Sequence, residues 1–384
     1  MYAMKTRDFL KLLVMMLAVP FVFAACSDDD DPVPVPTPEP TPIPDPEPDY
    51  SVPADQQGLF VFNGGNQGSI DGSLSFINFS KQEVSNNVFA AKNNRSLGAT
   101  VQNGAVFKGA LFIAVYDSKT IEVVDKLTLE SIKQITTPST SNGPRYVVAD
   151  DQYVYASLYS GEVIRINPAT NEIDKTISVG PNPEEMVIAN GFLYVVNSDG
   201  LNYQNGYVNG KSVSKIDLSS FTEVKKIEVG VNPTRIATDG TNVYALSTGD
   251  YTPENPSSIW KIDAQDNATD TGIGASWLAV QDGVLYTINS VFDENWMTTN
   301  YYITYNLSDM SVNSSAFLGE NVVDAPAGIC IDAEGGNLFV SSYNLAYGYA
   351  SYDTEGYVNQ YDLNGNLVKK YDVGVGPCFM TVLR

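Results

Sequence analysis

The sequence predicts an all-β fold, a seven-bladed β-propeller with four-stranded antiparallel blades. Three observations predict it. A short aromatic strand recurs seven times at spacings of about 40 to 53 residues: "GLFVFN" (58–63), "LFIAVY" (111–116), "VYASLY" (154–159), "LYVVNS" (193–198), "VYALST" (243–248), "LYTINS" (285–290) and "LFVSSY" (338–343). A glycine- and proline-containing phrase recurs as "VGPNPEEM" (179–186), "VGVNPTRI" (229–236) and "VGVGPCFM" (373–380). The rest alternates with period two, is rich in β-branched and aromatic residues, and is punctuated by turns such as "TDGT", "QDGV" and "NGNL". Four-stranded units repeated radially make a propeller, which protects strand edges.

Each unit is expected to run A, B, C, D, as in "PTRIAT", "VYALS" and "SIWKID", with a fourth strand such as "EVKKIEVG". The aromatic strand is B. The second strand follows in every copy, from "SLSFINF" through "TIEVVDK" and "SVSKIDL" to "YVNQYDL". The first unit begins at its B strand and lacks an A strand. "GPCFMTVL" (376–383) supplies one, so the first and last strands are expected to share a blade and close the ring.

Ahead of the propeller lies a different composition. Met1 to Ala25 carries Lys5, Arg7 and Lys11, then an apolar run from Leu12 to Phe23 and two alanines, the order of a secretory signal peptide (1–25). "FAAC" resembles a bacterial lipobox, which makes Cys26 the expected lipidation site; Phe23 stands where an aliphatic residue is more usual. "SDDDD" (27–31) resembles the acidic signal that sends Bacteroidota lipoproteins to the cell surface. "PVPVPTPEPTPIPDPEP" (32–48) has proline at every second position and favours extended polyproline II. From Pro32 to Pro53 it spans roughly 65 Å as a stalk. The expected division is therefore 1–25, 26–53 and a propeller at 54–384.

Composition excludes several functions. With 45 acidic and 22 basic residues the formal charge is −23, which repels phosphate backbones and disfavours nucleic acid. There is no histidine, so Ser-His-Asp and Cys-His catalysis, His-ligated haem and the usual catalytic zinc sites are all excluded. No glycine-rich phosphate loop, CxxC pair or calcium-loop motif occurs. Scattered Asp and Asn in 199–211 and 344–356 leave Ca²⁺ open, although no metal or cofactor is expected. Glu184 and Glu185 are adjacent and, in a strand, point to opposite sides, so they are not expected to form a carboxylate pair. Glu185 with Arg235 is expected as an ion pair across the channel. The protein is not expected to be an enzyme. Cys330 and Cys378 are expected as small buried residues, with a disulfide between them left open.

In an antiparallel blade the B–C and D–A connections share one face. Long B–C inserts occur at 64–72, 199–211, 249–257, 291–300 and 344–356, and insertions confined to one face mark the binding face of a repeat protein. These loops hold Tyr203, Tyr207, Tyr251, Phe292, Trp296, Tyr347, Tyr349 and Tyr352 among Asn, Gly and Asp. Such aromatics offer rigid contact area, and some of them pack their own loops instead. Two residues past the repeated proline, or its equivalent, lies one hub residue per blade: Asn103, Tyr146, Glu185, Arg235, Trp277, Gly328 and Phe379. They form either a ligand floor or an ordinary channel plug. Aromatic faces beside amide-binding groups suit a broad apolar ring edged with amides, and equally a sugar or a peptide.

The period and strand phrases resemble those of YncE-like propellers. "RSLGATVQNGAVFKGALFIAVYDSKTIEVVD" (95–125) resembles a segment of the Bacteroidota surface-lipoprotein branch, long carried as a domain of unknown function, which includes the cobalamin-capturing BtuG lipoproteins. The resemblance covers about 55 to 384. It implies an outer-membrane, cell-surface lipoprotein that captures a cobalamin or related corrinoid and passes it to a TonB-dependent transporter. The alternative is a protein- or glycan-binding propeller scaffold.

Overall fold

The computed structural model describes residues 48–384, apart from Asn295 and Trp296. The expected signal peptide, Cys26, the acidic run and most of the Pro-rich segment therefore lie outside the described residues, as does Trp296. Two units are distinguished, Met1–Asp49 and Tyr50–Arg384. The second is a seven-bladed β-propeller, with seven four-stranded antiparallel sheets among the described residues.

Blade 1 takes its A strand from Pro377–Leu383 and its B, C and D strands from Gly58–Asn63, Ser73–Asn78 and Glu83–Ser85. The other six blades take their strands in chain order, with A strands at Val101–Phe107, Pro144–Ala149, Pro183–Ala189, Pro233–Thr238, Trp277–Gln281 and Ala325–Asp332. The expected ring closure is thus present, with Val61 opposite Met380 and Phe60 opposite Thr381. A six-residue helix, Val88–Asn93, lies in the connection from blade 1 to blade 2.

Burial explains the composition of each strand. Strand B is sandwiched between neighbouring blades, so both of its faces are buried and it reads as a continuous apolar run, as in Gly58–Asn63 and Val243–Ser247. Outer D strands such as Ser131–Thr136 face solvent and are mostly polar. The core lies between blades: Ile121 and Val123 of blade 2 pack in one cluster with Val154 and Ala156 of blade 3. Each blade is therefore stable only beside its neighbours.

The recurring phrase has a backbone reason. The residue before the A-strand proline is left-handed in several blades, with φ of 47° at Asn182, 55° at Asn232, 95° at Gly143 and 70° at Gly376. Asn and Gly are the residues that adopt this conformation at low cost, and proline then starts the strand. Asn182 adds a hydrogen bond from Nδ2 to the Tyr159 carbonyl at 2.7 Å.

The unit begins ahead of the expected boundary at 54. Val52 is buried among Phe60, Phe89 and Leu97. The Tyr50 ring lies over Gly109 in the A–B turn of blade 2, and its carbonyl accepts from Lys126 Nζ in the C–D turn. Residues 50–52 thus rest on the face of short turns.

The closure is locked by Arg384. Its Nε and Nη2 donate to the two Asp332 oxygens of blade 7 at 2.7 and 2.6 Å, and Nη1 donates to Gln57 Oε1 at 2.7 Å. Burial pushes the Asp332 carboxyl up, but Arg384, Asn337 and the Gly335 N–H outweigh it and hold the acid below its ordinary value. Arg384→Met leaves a buried, uncompensated carboxylate and is expected to cost about 3 kcal/mol at neutral pH, several degrees of Tm. Because the folded pKa is depressed, this stabilisation is present above the unfolded value and lost as pH falls through the folded one. Melting curves from pH 7 to pH 3 should show the two proteins converging; a pH-independent difference would rule the ion pair out as its cause.

Candidate ligand-binding site

Hub geometry follows from a bulge near the start of the A strand. The A–B register shifts after Pro144, Pro183, Pro233 and Pro326, and at the equivalent points of blades 1 and 2, whereas blade 6 pairs without a shift. A bulge places two consecutive residues opposite one partner residue and re-aims a side chain. Both residues after the proline therefore line the hub cavity: Arg145 with Tyr146, Glu184 with Glu185, Thr234 with Arg235, and Cys378 with Phe379. This corrects the expectation that Glu184 and Glu185 point to opposite sides, which holds only for an unbulged strand.

The cavity has a volume of about 1120 Å³ and opens on the face of the B–C loops. Six of the hub residues singled out from the sequence reach it: Asn103, Tyr146, Glu185, Arg235, Trp277 and Phe379. Gly328 does not; it lines a smaller chamber of about 220 Å³ nearer the middle of the channel. Tyr146, Glu185, Arg235, Trp277, Cys378 and Phe379 border both spaces and form the partition between them. The hub residues are thus at once a plug in the channel and a floor under the upper cavity.

The partition is rigid. Tyr146 meets Phe379 edge to face with ring centres 5.3 Å apart. Arg235 lies over Trp277 at 5.2 Å, donates from Nε to the Ser276 carbonyl at 2.9 Å and from Nη1 to Glu185 Oε1 at 2.8 Å. That ion pair joins neighbouring blades 4 and 5 and does not span the channel as expected. The other oxygen of Glu185 accepts the Ile236 N–H at 3.2 Å. Burial raises the Glu185 pKa, and Arg235 and Ile236 reverse this only in part. Burial, then Glu185, pushes the Tyr146 hydroxyl well up.

A second pair stands beside the first. Arg145 donates from Nε to Glu184 Oε2 at 2.8 Å, and its Nη2 lies 2.7 Å from the same oxygen in an ion pair, with the Tyr159 and Tyr116 rings 4.8 and 5.4 Å from its guanidinium carbon. Burial is the main reason that the Tyr159 hydroxyl rises to about 12. Arg145 and Glu184 were missed as cavity residues because period-two counting took one side chain per blade. The signal was present: two successive non-aliphatic residues, as in "PEEMVIA", break the alternation at the start of an apolar strand.

Asn103 has a structural task. It is 2% exposed, and its amide exchanges two hydrogen bonds with the Val147 backbone, at 2.9 and 3.0 Å, tying blade 2 to blade 3. Among the loop aromatics, Tyr251 and Phe292 line the cavity. Tyr203, Tyr207, Tyr347, Tyr349 and Tyr352 do not line it. Gly206, next to Tyr207, packs near Asp250 of the blade 5 loop. Tyr352 packs edge-on against Tyr343 at 4.9 Å, while Tyr347 is fully exposed. Much of the expected loop 291–300 is strand: Val284–Phe292 and Thr298–Asn306 pair as one long hairpin to Phe292↔Thr298. Its "TTNYYI" run is β-branched and aromatic, which favours strand over loop. Among the described residues no cluster of three or more His, Cys, Asp or Glu is placed to hold a metal.

Among the described residues, Cys330 and Cys378 are free thiols. Burial pushes Cys378 up to about 11 and Cys330 up to about 12. Cys378 Sγ sits 3.2–3.4 Å from the carbonyls of Phe62, Val101 and Gln102. Thiolate, the reactive form, is therefore scarce. The native Tyr50–Arg384 unit is expected to react with Ellman's reagent at pH 8 at least a hundredfold more slowly than the unfolded chain. Rapid labelling of either native cysteine would contradict this burial.

Residues 57–375 match the family described as "Domain of unknown function (DUF5074)". No curated protein matches the chain. Solved structures share the fold. Hydrazine synthase of Kuenenia stuttgartiensis is 16% identical, with 73% of this chain and 94% of that one covered and a TM-score of 0.57. A functionally unknown protein from Desulfotomaculum acetoxidans DSM 771 is 12% identical, with 85% and 98% covered and a TM-score of 0.56. The computationally designed Ika8 protein is 10% identical, with 84% and 89% covered and a TM-score of 0.54. At these identities the likeness is one of fold alone.

Proposed function

The chain belongs to the DUF5074 family, and from its cavity we propose that it is a non-catalytic capture protein for a large nutrient of the corrinoid class, cobalamin foremost. The observation that carries this is the cavity itself. At about 1120 Å³ it exceeds the roughly 300–1000 Å³ typical of small-molecule sites. Rigid aromatic surfaces from Trp277, Phe379, Tyr251 and Phe292 line it beside polar amides. A single sugar leaves most of that space empty. A broad ring with an apolar face and an amide edge fills it. The sequence resemblance to the BtuG lipoproteins points the same way.

The lack of catalysis is supported by the state of the carboxylates. Glu184 and Glu185 are each held by an arginine of a neighbouring blade, so neither is poised to take a proton from a substrate. The lipobox at Cys26, the acidic run and the Pro-rich stalk support a lipid-anchored protein on the outer surface of the outer membrane. A TonB-dependent transporter is the proposed recipient. Exposed aromatics outside the cavity, Tyr203, Tyr347 and Tyr349, favour a protein partner on the same face.

The Tyr50–Arg384 unit mixed with cyanocobalamin is expected to co-elute with the pink chromophore in size exclusion, at one ligand per chain. Trp277→Ala is expected to weaken binding at least tenfold by calorimetry. No binding of cyano- or adenosylcobalamin at tens of micromolar would overturn the corrinoid assignment. Cys26→Ser is expected to move the full chain from the membrane to the soluble fraction; retention in the membrane would remove the lipid anchor from this account.

A further inference from the structure

Both arginines that line the cavity are already neutralised. Arg145 is ion-paired with Glu184 and donates to it from Nε, and Arg235 donates from Nη1 to Glu185 and from Nε to the Ser276 carbonyl. The bulge makes this possible, because it turns two adjacent glutamates inward and gives each to the arginine of a different flanking blade. An arriving carboxylate or phosphate would have to displace a carboxylate that is covalently part of the site and already in place.

The cavity walls and mouth add to this bias. Asp293 and Glu294 also line the cavity, so it carries four acidic groups against two basic ones. The crest loops 199–211, 249–257, 291–300 and 344–356 contain seven acidic residues and one basic residue, Lys211. With a formal charge of −23 on the chain, the field repels anions on approach.

Uncharged polar groups also stay open for bonding. Among the described residues, the Tyr146 hydroxyl and the Asn289 side-chain amide line the cavity without a hydrogen bond of their own. The Trp277 indole N–H is buried without a partner. A few well-placed neutral donors and acceptors among apolar walls read amide or hydroxyl edges.

We infer that the cavity is a charge-excluding site: it accepts a ligand without net charge that is edged with amides or hydroxyls, rejects free carboxylate and phosphate anions, and owes this selectivity to the pairs Arg145–Glu184 and Arg235–Glu185. The inference rests on the capture role only in taking the cavity as the binding site, and it holds for any ligand of this class.

Sulfate tests it without reference to the natural ligand. The full chain is titrated with sodium sulfate against sodium chloride at matched ionic strength, with calorimetric heat and melting temperature as readouts. The wild type is expected to show no saturable response. Glu184→Gln and Glu185→Gln each free one arginine and are expected to bind sulfate at least tenfold more tightly than the wild type. Adding Arg145→Gln to the first should abolish the gain. The two variants break different pairs, so misfolding of one leaves the other as a test. Saturable sulfate binding by the wild type that Arg145→Gln or Arg235→Gln removes would overturn the inference. So would a folded Glu→Gln variant that gains nothing. A sulfate gain without cobalamin binding would sink the corrinoid assignment and leave charge exclusion standing. Cobalamin binding with sulfate-responsive wild type would do the reverse.

Discussion

Pairing of Pro377–Leu383 with Gly58–Asn63 is the interaction on which the rest depends. Blades are held mainly by contacts across their faces, so an open array would leave an apolar face uncovered at each end. Closing the ring covers both. It also fixes the radius of the hub, and that radius brings seven A strands close enough for side chains of neighbouring blades to touch. The hydrogen bonds of Asn103 to Val147, and the ion pairs among blades 3, 4 and 5, all exist at that spacing. Loosening the closure would therefore disturb the cavity floor even though no floor residue had changed.

The floor in turn depends on a departure from regular strand geometry. A regular strand sends one residue in two toward the hub. The bulge after the proline sends two in succession, enough to build paired charges and still present aromatic surface. Strand irregularities of this kind are over-represented next to functional sites. Here the consequence is electrostatic: the charges serve one another, which leaves neutral groups for a ligand to meet.

The fold was legible in the sequence because its signals are local and repeated. Aromatic B strands, turn residues before prolines and the missing first A strand all follow from backbone requirements that recur in each blade. Part of the site was legible for the same reason, since counting from the proline found Tyr146, Glu185, Arg235, Trp277 and Phe379. What escaped was set between blades. Arg145 and Glu184 reach the cavity through a bulge that strict alternation does not register. Asn103 looked like a contact residue and is a strut, because its partner Val147 lies 44 positions away. The outer end of the hairpin, 291–300, looked like a loop because of its polar centre, although its β-branched arm was written in the sequence. Trp296 lies outside the described residues.

Residues 50–52 enter the propeller on the face of short turns, with Tyr50 seated between the two turns of blade 2. The cavity opens on the opposite face. A pull applied through Tyr50 would therefore load the short-turn face of blade 2 first, at the end of the ring remote from the mouth, and would reach the cavity floor only through the strands between.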